Sequence, residues 1–265
     1  MNQNYKTAIE ASIVAGKAIM EIYEKDFAVD YKEDASPLTE ADQAANAVIM
    51  EYLVTTGIPV ISEENKQLPY DERKGWTSCW IVDPLDGTKE FIKKNGEFTV
   101  NIALVTNGVP QFGVIYVPAV KTVYYGDIAS QNSFKVQLDS HDVNIEDVLA
   151  NAKAIKPAAS ETAMRVVGSR SHMSADTQEF VDSLKETTDK EIEIVSKGSS
   201  LKFCLVAEGN ADVYPRFAPT MEWDTAAGQA ICNAVGVLVI DNGTKKAMVY
   251  NKENLLNPYF LVSHA

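Results

Sequence analysis

Two aspartates three positions apart close an apolar segment in the first half of the chain. Residues 80–88 read WIVDPLDGT, so Asp83 and Asp86 follow three residues typical of a buried strand. The carboxyl end of a strand is where α/β proteins place their sites. Pro84 stiffens the chain between the two carboxylates, and Gly87 permits a tight turn into a following helix. The pattern indicates oxygen ligands for a hard cation beside a helix N-terminus for a phosphate.

Two further acidic clusters border apolar segments in the same way. Glu63 and Glu64 end a short strand-like segment, and Asp224 precedes an apolar helical one. Carboxylates among apolar residues are costly unless they are paired or bind a metal. If the four acids converge, all-oxygen ligation favours Mg²⁺ over zinc. Spacing alone does not show that they converge, because a strand ending in a turn before a helix cap would give the same pattern at residues 83–88.

The elements that must position these residues begin with two helices. Apolar residues from Tyr5 to Tyr23 recur at three- and four-residue spacing, which predicts one helix. A second helix is predicted from Thr39 to Gly57, with acidic residues in its first turn. Two short buried strands, 58–62 and 80–83, are predicted to follow, with a polar linker at 65–75 between them and a short helix after Gly87.

The remaining chain predicts a meander and then an alternation of strands and helices. Strands are predicted at 98–105, 111–118 and 122–128, with a hairpin turn at Asn107-Gly108. Residues 130–159 are polar and weakly patterned, which predicts a boundary between two lobes, 1–130 and 131–265. The second half predicts an α/β arrangement, with strands at 163–168, 191–196, 211–214, 237–240 and 247–250 and helices at 174–187, 199–208 and 225–234.

Composition excludes several classes of protein. The chain has 265 residues, 46% hydrophobic and 23% charged, which is ordinary for a globular protein. The net charge is 24 − 37 = −13, which disfavours binding to nucleic-acid polymers and anionic membranes. A small anionic substrate is compatible with that charge if a local cation holds it.

Cysteine usage and the N-terminal segment suggest the compartment. Cys79, Cys204 and Cys232 are isolated, so neither a zinc site nor a disulfide framework is indicated. The first residues lack the basic start and uninterrupted apolar stretch of a signal peptide. No apolar run is long enough to span a bilayer. We therefore expect a cytoplasmic protein without a transmembrane segment, and leave peripheral association with the inner membrane open.

Taken together, these motifs resemble those of a known superfamily. DPLDGT at 83–88, the Glu63-Glu64 pair and WDTAAG at 223–228 are similar to the inositol monophosphatase superfamily. The resemblance implies an α/β (α+β layered) αβαβα fold of the sugar-phosphatase type, with the site between two lobes. It also implies a Mg²⁺-dependent, lithium-sensitive phosphatase. Five further segments narrow the resemblance to the bacterial 3′(2′),5′-bisphosphate nucleotidases of sulfur assimilation. They are SPLTEAD at 36–42, GSRSH at 168–172, GSSLKFC at 198–204, YPRF at 214–217 and NPYF at 257–260.

The resemblance assigns roles to individual positions. Two or three Mg²⁺ ions would be held by Glu63, Asp83, Asp86, Asp224 and the carbonyl of Leu85. The catalytic group would be Asp42, Thr88 and Glu63, with Asp42 and Thr88 orienting the attacking water. Substrate contacts would come from Gly87, Thr88, His172, Ser199, Lys202, Arg216 and Asp224.

The implied reaction converts adenosine 3′,5′-bisphosphate to AMP and phosphate, and 3′-phosphoadenosine 5′-phosphosulfate to adenosine 5′-phosphosulfate. Water activated by the metal would attack phosphorus directly, without a phosphoenzyme, in a monomer or homodimer. Three alternatives stay open: an inositol monophosphatase or other sugar-phosphate phosphatase of the superfamily, a phosphoaspartyl phosphatase, and a metal or nucleotide sensor. The three-residue spacing of Asp83 and Asp86 argues against the phosphoaspartyl class, whose two acids are two apart.

Overall fold

A computed structural model describes residues 1–25, 29–31, 37–168 and 173–264. Their helices are α1 Gln3–Tyr23, α2 Glu40–Val54, α3 Tyr70–Arg73, α4 Thr88–Ile92, α5 Ile145–Asn151, α6 Ala175–Thr187, α7 Leu201–Ala207 and α8 Glu222–Asn233, with a 3₁₀ turn at Pro118–Val120. The strands are β1 Val29–Tyr31, β2 Pro37–Thr39, β3 Val60–Ser62, β4 Ser78–Asp86, β5 Thr99–Thr106, β6 Val109–Val117, β7 Thr122–Asp127, β8 Asn132–Gln137, β9 Lys153–Ile155, β10 Ala163–Val167, β11 Glu191–Val195, β12 Val213–Arg216, β13 Val237–Asp241 and β14 Phe260–His264.

Two sheets carry the architecture. The first has seven strands in the order β3-β4-β5-β6-β7-β8-β9, with β3 and β4 parallel and the other neighbours antiparallel. The second has five strands in the order β11-β10-β12-β14-β13, and it mixes parallel and antiparallel pairs. A separate two-stranded ribbon pairs β1 with β2.

Helices fill the space on both faces of the first sheet. The side chains of β4 alternate, so that Trp80 and Val82 pack with α1 and α2 while Cys79 and Ile81 pack with α7 and α8. The second sheet lies beyond α7 and α8, and α6 packs on its other face. The layers are therefore αβαβα, as the resemblance implies.

One glycine explains how close the central helix lies to the first sheet. A Cβ on Gly113, in β6, would lie 2.4 Å from the carbonyl oxygen of Ala227 in α8. No side chain fits in that distance, so only glycine lets α8 rest directly on β6. The approach matters for the site because α8 carries Asp224 in its first turn.

Most predicted elements are present, and the differences have physical reasons. The helices at 5–23 and 39–57, the short helix after Gly87 and the hairpin at Asn107-Gly108 are confirmed. The predicted strand at 247–250 is wrong: Ala247 makes one isolated bridge to Ile240 on the open side of β13, and the Tyr250 N–H donates instead to the Gly108 carbonyl at 3.0 Å, so no ladder forms. The linker at 65–75 contains the short helix α3.

The segment predicted to join the lobes has a role in the first sheet. Within 130–159, β8 pairs with β7 and β9 pairs with β8. The predicted division at residues 130 and 131 therefore falls between the fifth and sixth strands of one sheet. By sheet membership, the chain passes from the first sheet to the second between Ile155 and Ala163.

A bilayer-crossing helix is not found in the described part of the chain, because none of its helices is both long enough and apolar enough.

Candidate active site

The end of β4 departs from regular strand geometry where the two aspartates lie. Pairing with β5 shifts register between Asp83 and Asp86, as expected where a bulge redirects side chains. The Leu85 N–H donates to Asp83 Oδ1 at 3.0 Å, and Gly87 then adopts φ 93° to begin α4. Both carboxylates are thus fixed at the carboxyl end of β4, and Asp83 is 1% exposed.

The third carboxylate comes from the central helical layer. Helix α8 begins at Glu222, three residues before the predicted start at 225, so Asp224 lies inside its first turn. The Met221 N–H donates to Asp224 Oδ2 at 2.7 Å. This bond caps the helix and fixes the side chain where α8 approaches β4.

These three acids converge. Carboxylate oxygens of Asp83, Asp86 and Asp224 all lie within 4.8 Å of one another. Burial raises the pKa of Asp83 well above its usual value, and the charges of Glu63, Asp86 and Asp224 raise it further. Burial, followed by the charge of Asp86, raises the pKa of Asp224 to about 7. The cluster therefore brings three mutually repelling acidic groups together where they are partly removed from water.

Glu63 is adjacent but separate from this cluster. The parallel pairing of Ser62 with Val82 brings it beside β4, and its N–H donates to the Val82 carbonyl at 3.1 Å. Its charge raises the pKa of both Asp83 and Asp224. Among the described residues, however, the group with oxygens within 4.8 Å consists of the three aspartates without Glu63.

The donor set fits a hard divalent cation. One buried and two half-buried carboxylates supply only oxygen atoms, and the charge of Asp86 raises the pKa of both Asp83 and Asp224. Magnesium prefers such ligands and would neutralise them. The carbonyl of Leu85, the fifth predicted ligand, lies 3.5 Å from the Thr88 hydroxyl oxygen in the same turn.

The side chains of Asp42, in the first turn of α2, and Thr88, at the start of α4, are in contact. Asp42 Oδ2 accepts from the N–H and the hydroxyl of Thr39, at 2.8 and 2.7 Å, which completes a capping box at α2. Its other oxygen accepts from the Thr88 hydroxyl at 3.4 Å. Asp42 is 3% exposed. The predicted pair is therefore in contact, and its role in orienting water stays a prediction.

A cleft of about 500 Å³ joins the acidic cluster to the second sheet. Six of the predicted site residues line it: Asp86, Gly87, Ser199, Lys202, Arg216 and Asp224. Phe217 and Tyr214 add aromatic surface. His172, predicted to contact the sugar or base, lies outside the described residues.

Ser199 connects the two sides of this cleft. It has φ 49°, and its hydroxyl lies 2.9 Å from the carbonyl oxygen of Asp86 and 2.7 Å from that of Glu97. A Cβ on Gly87 would lie 2.0 Å from the same hydroxyl oxygen. The hydroxyl is therefore directed at the main chain around α4.

Lys202 and Arg216 form a cationic end of the cleft. The Lys202 ammonium donates to the Ser199 carbonyl at 3.0 Å. Burial lowers the pKa of Lys202, and although nearby carboxylates raise it, the charge of Arg216 lowers it further. Arg216 Nε is buried without a hydrogen-bond partner among the described residues. Neither cation forms a salt bridge with a described carboxylate, so both are available to an anionic ligand.

Sequence reasoning missed two polar residues at the acidic end. The Ser200 hydroxyl lies 2.7 Å from Asp86 Oδ2, and the Asn101 amide nitrogen lies 2.8 Å from that hydroxyl. Ser200 is inconspicuous because a second serine before a helix indicates a cap. Asn101 offered a signal, because it is a polar residue in the middle of the apolar run FTVNIALV.

Nearly the whole chain matches one protein family and individual relatives. The sequence pattern of the Inositol monophosphatase family matches residues 1–261. A 3′(2′),5′-bisphosphate nucleotidase CysQ from Salmonella typhimurium is 45% identical over 253 residues, covering 94% of this chain and 95% of the relative. The Haemophilus influenzae protein of the same name is 34% identical, covering 94% and 88%.

Solved structures agree with the sequence relatives. The crystal structure of CysQ from Bacteroides thetaiotaomicron superposes with a TM-score of 0.88 at 47% identity, covering 98% of this chain and 97% of that one. The extragenic suppressor protein SuhB of Bartonella henselae has a TM-score of 0.72 at 20% identity, covering 97% and 92%. That second likeness shows the fold alone.

Proposed function

This chain belongs to the inositol monophosphatase family, and we propose that it is a magnesium-dependent 3′(2′),5′-bisphosphate nucleotidase, a phosphoric monoester hydrolase. Its substrate is adenosine 3′,5′-bisphosphate, and its products are AMP and phosphate. The observation that carries the proposal is that one cleft is lined both by Asp86 and Asp224 of the aspartate cluster and by two cations, Lys202 and Arg216, that form no salt bridge with a described carboxylate. A ligand with two phosphates would engage both the acidic cluster, through a metal, and the two cations.

At the acidic end, Asp83, Asp86 and Asp224 would hold magnesium, with Glu63 beside them and the Leu85 carbonyl as a further ligand. When bound, magnesium would lower the pKa of a bound water and would neutralise the charge that develops on the phosphate oxygens. The family resemblance implies two or three ions, and the charge of Glu63 acts on the same cluster.

Thr88 and Asp42 orient the nucleophile. Asp42 Oδ2 is held by Thr39, so Oδ1 is the oxygen that accepts from Thr88. Thr88 thus donates its own proton to Asp42 and keeps lone pairs for a water O–H. As that water attacks phosphorus, its proton passes to Thr88 and the Thr88 proton moves onto Asp42. The bond from phosphorus to the 3′ oxygen breaks in the same displacement, without a phosphoenzyme, and the released 3′ alkoxide takes a proton from solvent water to give the hydroxyl of AMP.

At the cationic end, Lys202 and Arg216 bind the second phosphate. Two cations in a partly desolvated cleft repel each other, and a dianionic group between them removes that cost. Gly87 and Ser199 shape the wall beside α4, and His172 is proposed to contact the sugar or base. The same end accepts the phosphosulfate of 3′-phosphoadenosine 5′-phosphosulfate, the second proposed substrate. A cytoplasmic location and a monomeric or homodimeric state remain predictions from the sequence.

Phosphate release with Mg²⁺ tests the proposal, using adenosine 3′,5′-bisphosphate, 3′-AMP and inositol 1-phosphate, each with and without lithium. We expect the bisphosphate to have a kcat/KM at least tenfold above 3′-AMP, since only the bisphosphate reaches both cations. Its hydrolysis should be suppressed by lithium. A preference for inositol 1-phosphate would retain the metal site and overturn the assignment of Lys202 and Arg216.

A further inference from the structure

A relay of three buried polar side chains ends on one of the proposed magnesium ligands. The Thr99 hydroxyl lies 3.0 Å from Asn101 Oδ1, Asn101 Nδ2 lies 2.8 Å from the Ser200 hydroxyl, and that hydroxyl lies 2.7 Å from Asp86 Oδ2. Thr99, Asn101 and Ser200 are 0%, 1% and 2% exposed. The relay connects β5 of the first sheet to the loop before α7.

The chemistry of the groups fixes the direction of every bond. Asp86 Oδ2 and the Asp224 carbonyl only accept, so the Ser200 hydroxyl donates toward them and must accept from Asn101. The end of the amide that faces Ser200 is therefore the NH₂ group, and its oxygen accepts from Thr99. The single Ser200 proton then has two acceptors in reach, Asp86 Oδ2 at 2.7 Å and the Asp224 carbonyl at 3.0 Å. The carboxylate is nearer and charged, so it receives the proton.

This arrangement uses one carboxylate oxygen of Asp86 in hydrogen bonds and leaves the other available to a cation. Oδ2 accepts from Ser200 and has the Asn101 NH₂ at 3.5 Å. No hydrogen bond to Oδ1 of Asp86 is found from the part of the chain that the structure describes. Because Ser200 also contacts the main chain of Asp224, one hydroxyl touches ligand-bearing segments from the first sheet and from α8.

The usual reason for a serine at this position is absent. Ser200 is the N-cap residue of α7, yet its side chain makes no capping hydrogen bond. The hydroxyl points away from the helix and toward the carboxylates. Its contribution to the fold is therefore separable from helix capping.

We propose that Ser200 is a positioning residue for the magnesium site, which holds the Asp86 carboxylate so that its free oxygen faces the cation. Asn101 and Thr99 act through it by fixing the orientation of its hydroxyl. The proposal rests on the proposed function, in that it takes magnesium to be the ion bound by Asp83, Asp86 and Asp224.

Calorimetric titration of the metal-free full chain with MgCl₂ tests the proposal without relying on turnover. In Ser200→Ala we expect the Kd for Mg²⁺ to rise about tenfold, the size typical for loss of a hydrogen bond to a ligand. The matched control is Ser133→Ala. Ser133 is also fully buried, and its hydroxyl donates to the Ile231 carbonyl at 2.7 Å, where it touches no carboxylate. Its Mg²⁺ affinity should stay within twofold of wild type.

Thr99→Val gives a second, nearly isosteric variant, which keeps the buried volume and removes only the first donor of the relay. We expect a smaller rise in Kd, about threefold. An unchanged Kd in folded Ser200→Ala, or an equal loss in Ser133→Ala, would overturn the positioning role while leaving the proposed function intact. Failure of the wild-type chain to bind Mg²⁺ would instead overturn the magnesium site and the positioning role together.

Discussion

Glu222 and Asp224 lie two residues apart in the first turn of α8, and the fold treats their charges in opposite ways. Glu222 is 0% exposed and accepts from the Lys252 ammonium and from the N–H groups of Asn251 and Lys252. Asp224 accepts one N–H, from Met221, and is surrounded mainly by other carboxylates. Arg216 offsets their charge only in small part.

The difference separates a structural carboxylate from a functional one. Glu222 receives its counter-ion from the chain itself, so it ties the loop after β13 to the start of α8. Asp224 is held in place without an ion pair inside the cluster, so above its raised pKa its counter-ion would come from a bound cation. The same holds for the cations of the cleft. Lys202 and Arg216 form no ion pair with a described carboxylate, so their counter-ion would be an anionic ligand.

Removing a charge from the acidic cluster should have the largest effect. Asp86→Asn keeps the side-chain volume but weakens the magnesium site, so we expect kcat/KM for the bisphosphate to fall by about 10³-fold or more, equivalent to about 4 kcal/mol. Steady-state phosphate release measures it. Asp71→Asn, at an exposed carboxylate paired with Lys74, should leave kcat/KM unchanged. Normal turnover in Asp86→Asn would refute the metal assignment.

Breaking the ion pair between Glu222 and Lys252 should lower the stability of the fold, in contrast to the loss of activity expected at Asp86. Lys252→Met leaves the buried Glu222 without its cation, and we expect the free energy of unfolding to fall by about 3 kcal/mol. Urea denaturation measures it. The control is Lys74→Met, which removes an exposed pair and should cost under about 1 kcal/mol. If Lys252→Met were as mild as the control, Glu222 would not depend on its partner, and the contrast with Asp224 would weaken.

The cationic end should control affinity for the second phosphate. In Arg216→Met we expect KM for adenosine 3′,5′-bisphosphate to rise about tenfold, or about 1.4 kcal/mol, since a charge-assisted contact is lost. KM for 3′-AMP, which has no 5′-phosphate, should change less than twofold. Equal losses with both substrates would mean that Arg216 acts on the fold or on the acidic end.

The smallest expected effect is the change in the free energy of unfolding with pH that comes from Asp224. The pKa of Asp224 is about 7 in the folded chain against a usual 3.8, so between these values the folded state binds more protons than the unfolded state. The contribution of Asp224 to stability is therefore largest below about pH 4 and declines as the pH rises to about 7, by about 1.4 kcal/mol per pH unit at most. Asp83 acts in the same direction.

Urea denaturation in EDTA from pH 4.5 to 7.5 measures this decline. Asp224→Asn should show a shallower loss of stability across that window than the wild-type chain. Equal slopes in the two proteins would show that Asp224 does not take up a proton on folding.

The sequence predicted the periodic elements well because their signals are local. Helices at 5–23 and 39–57 and the hairpin at Asn107-Gly108 each follow from spacing or turn chemistry within a few residues. The failure at 247–250 is instructive, since the alternation there is real: Met248 and Tyr250 are buried and Val249 is exposed. What sequence could not show is that the Tyr250 N–H donates to the carbonyl of Gly108, in the hairpin of the first sheet, and not to β13.

The same limit applies to the site. Each acidic motif was visible in the sequence, and the resemblance supplied their grouping. Their distances depend on α8 resting on β6 through Gly113 and on the bulge between Asp83 and Asp86, which are tertiary features. The relay through Asn101 to Ser200 joins residues 99 positions apart, so no local pattern could reveal it.

The central claim is that Asp83, Asp86 and Asp224 are unfavourable to the fold until a cation neutralises them. Thermal unfolding at pH 7.5, with EDTA and with 10 mM MgCl₂, tests it on the wild-type chain and Asp224→Asn. We predict that without metal the variant melts above the wild type, because a repelling charge is gone, and that Mg²⁺ raises the Tm of the wild type well above that of the variant. A wild-type Tm that is the same in EDTA and in Mg²⁺ would contradict the account.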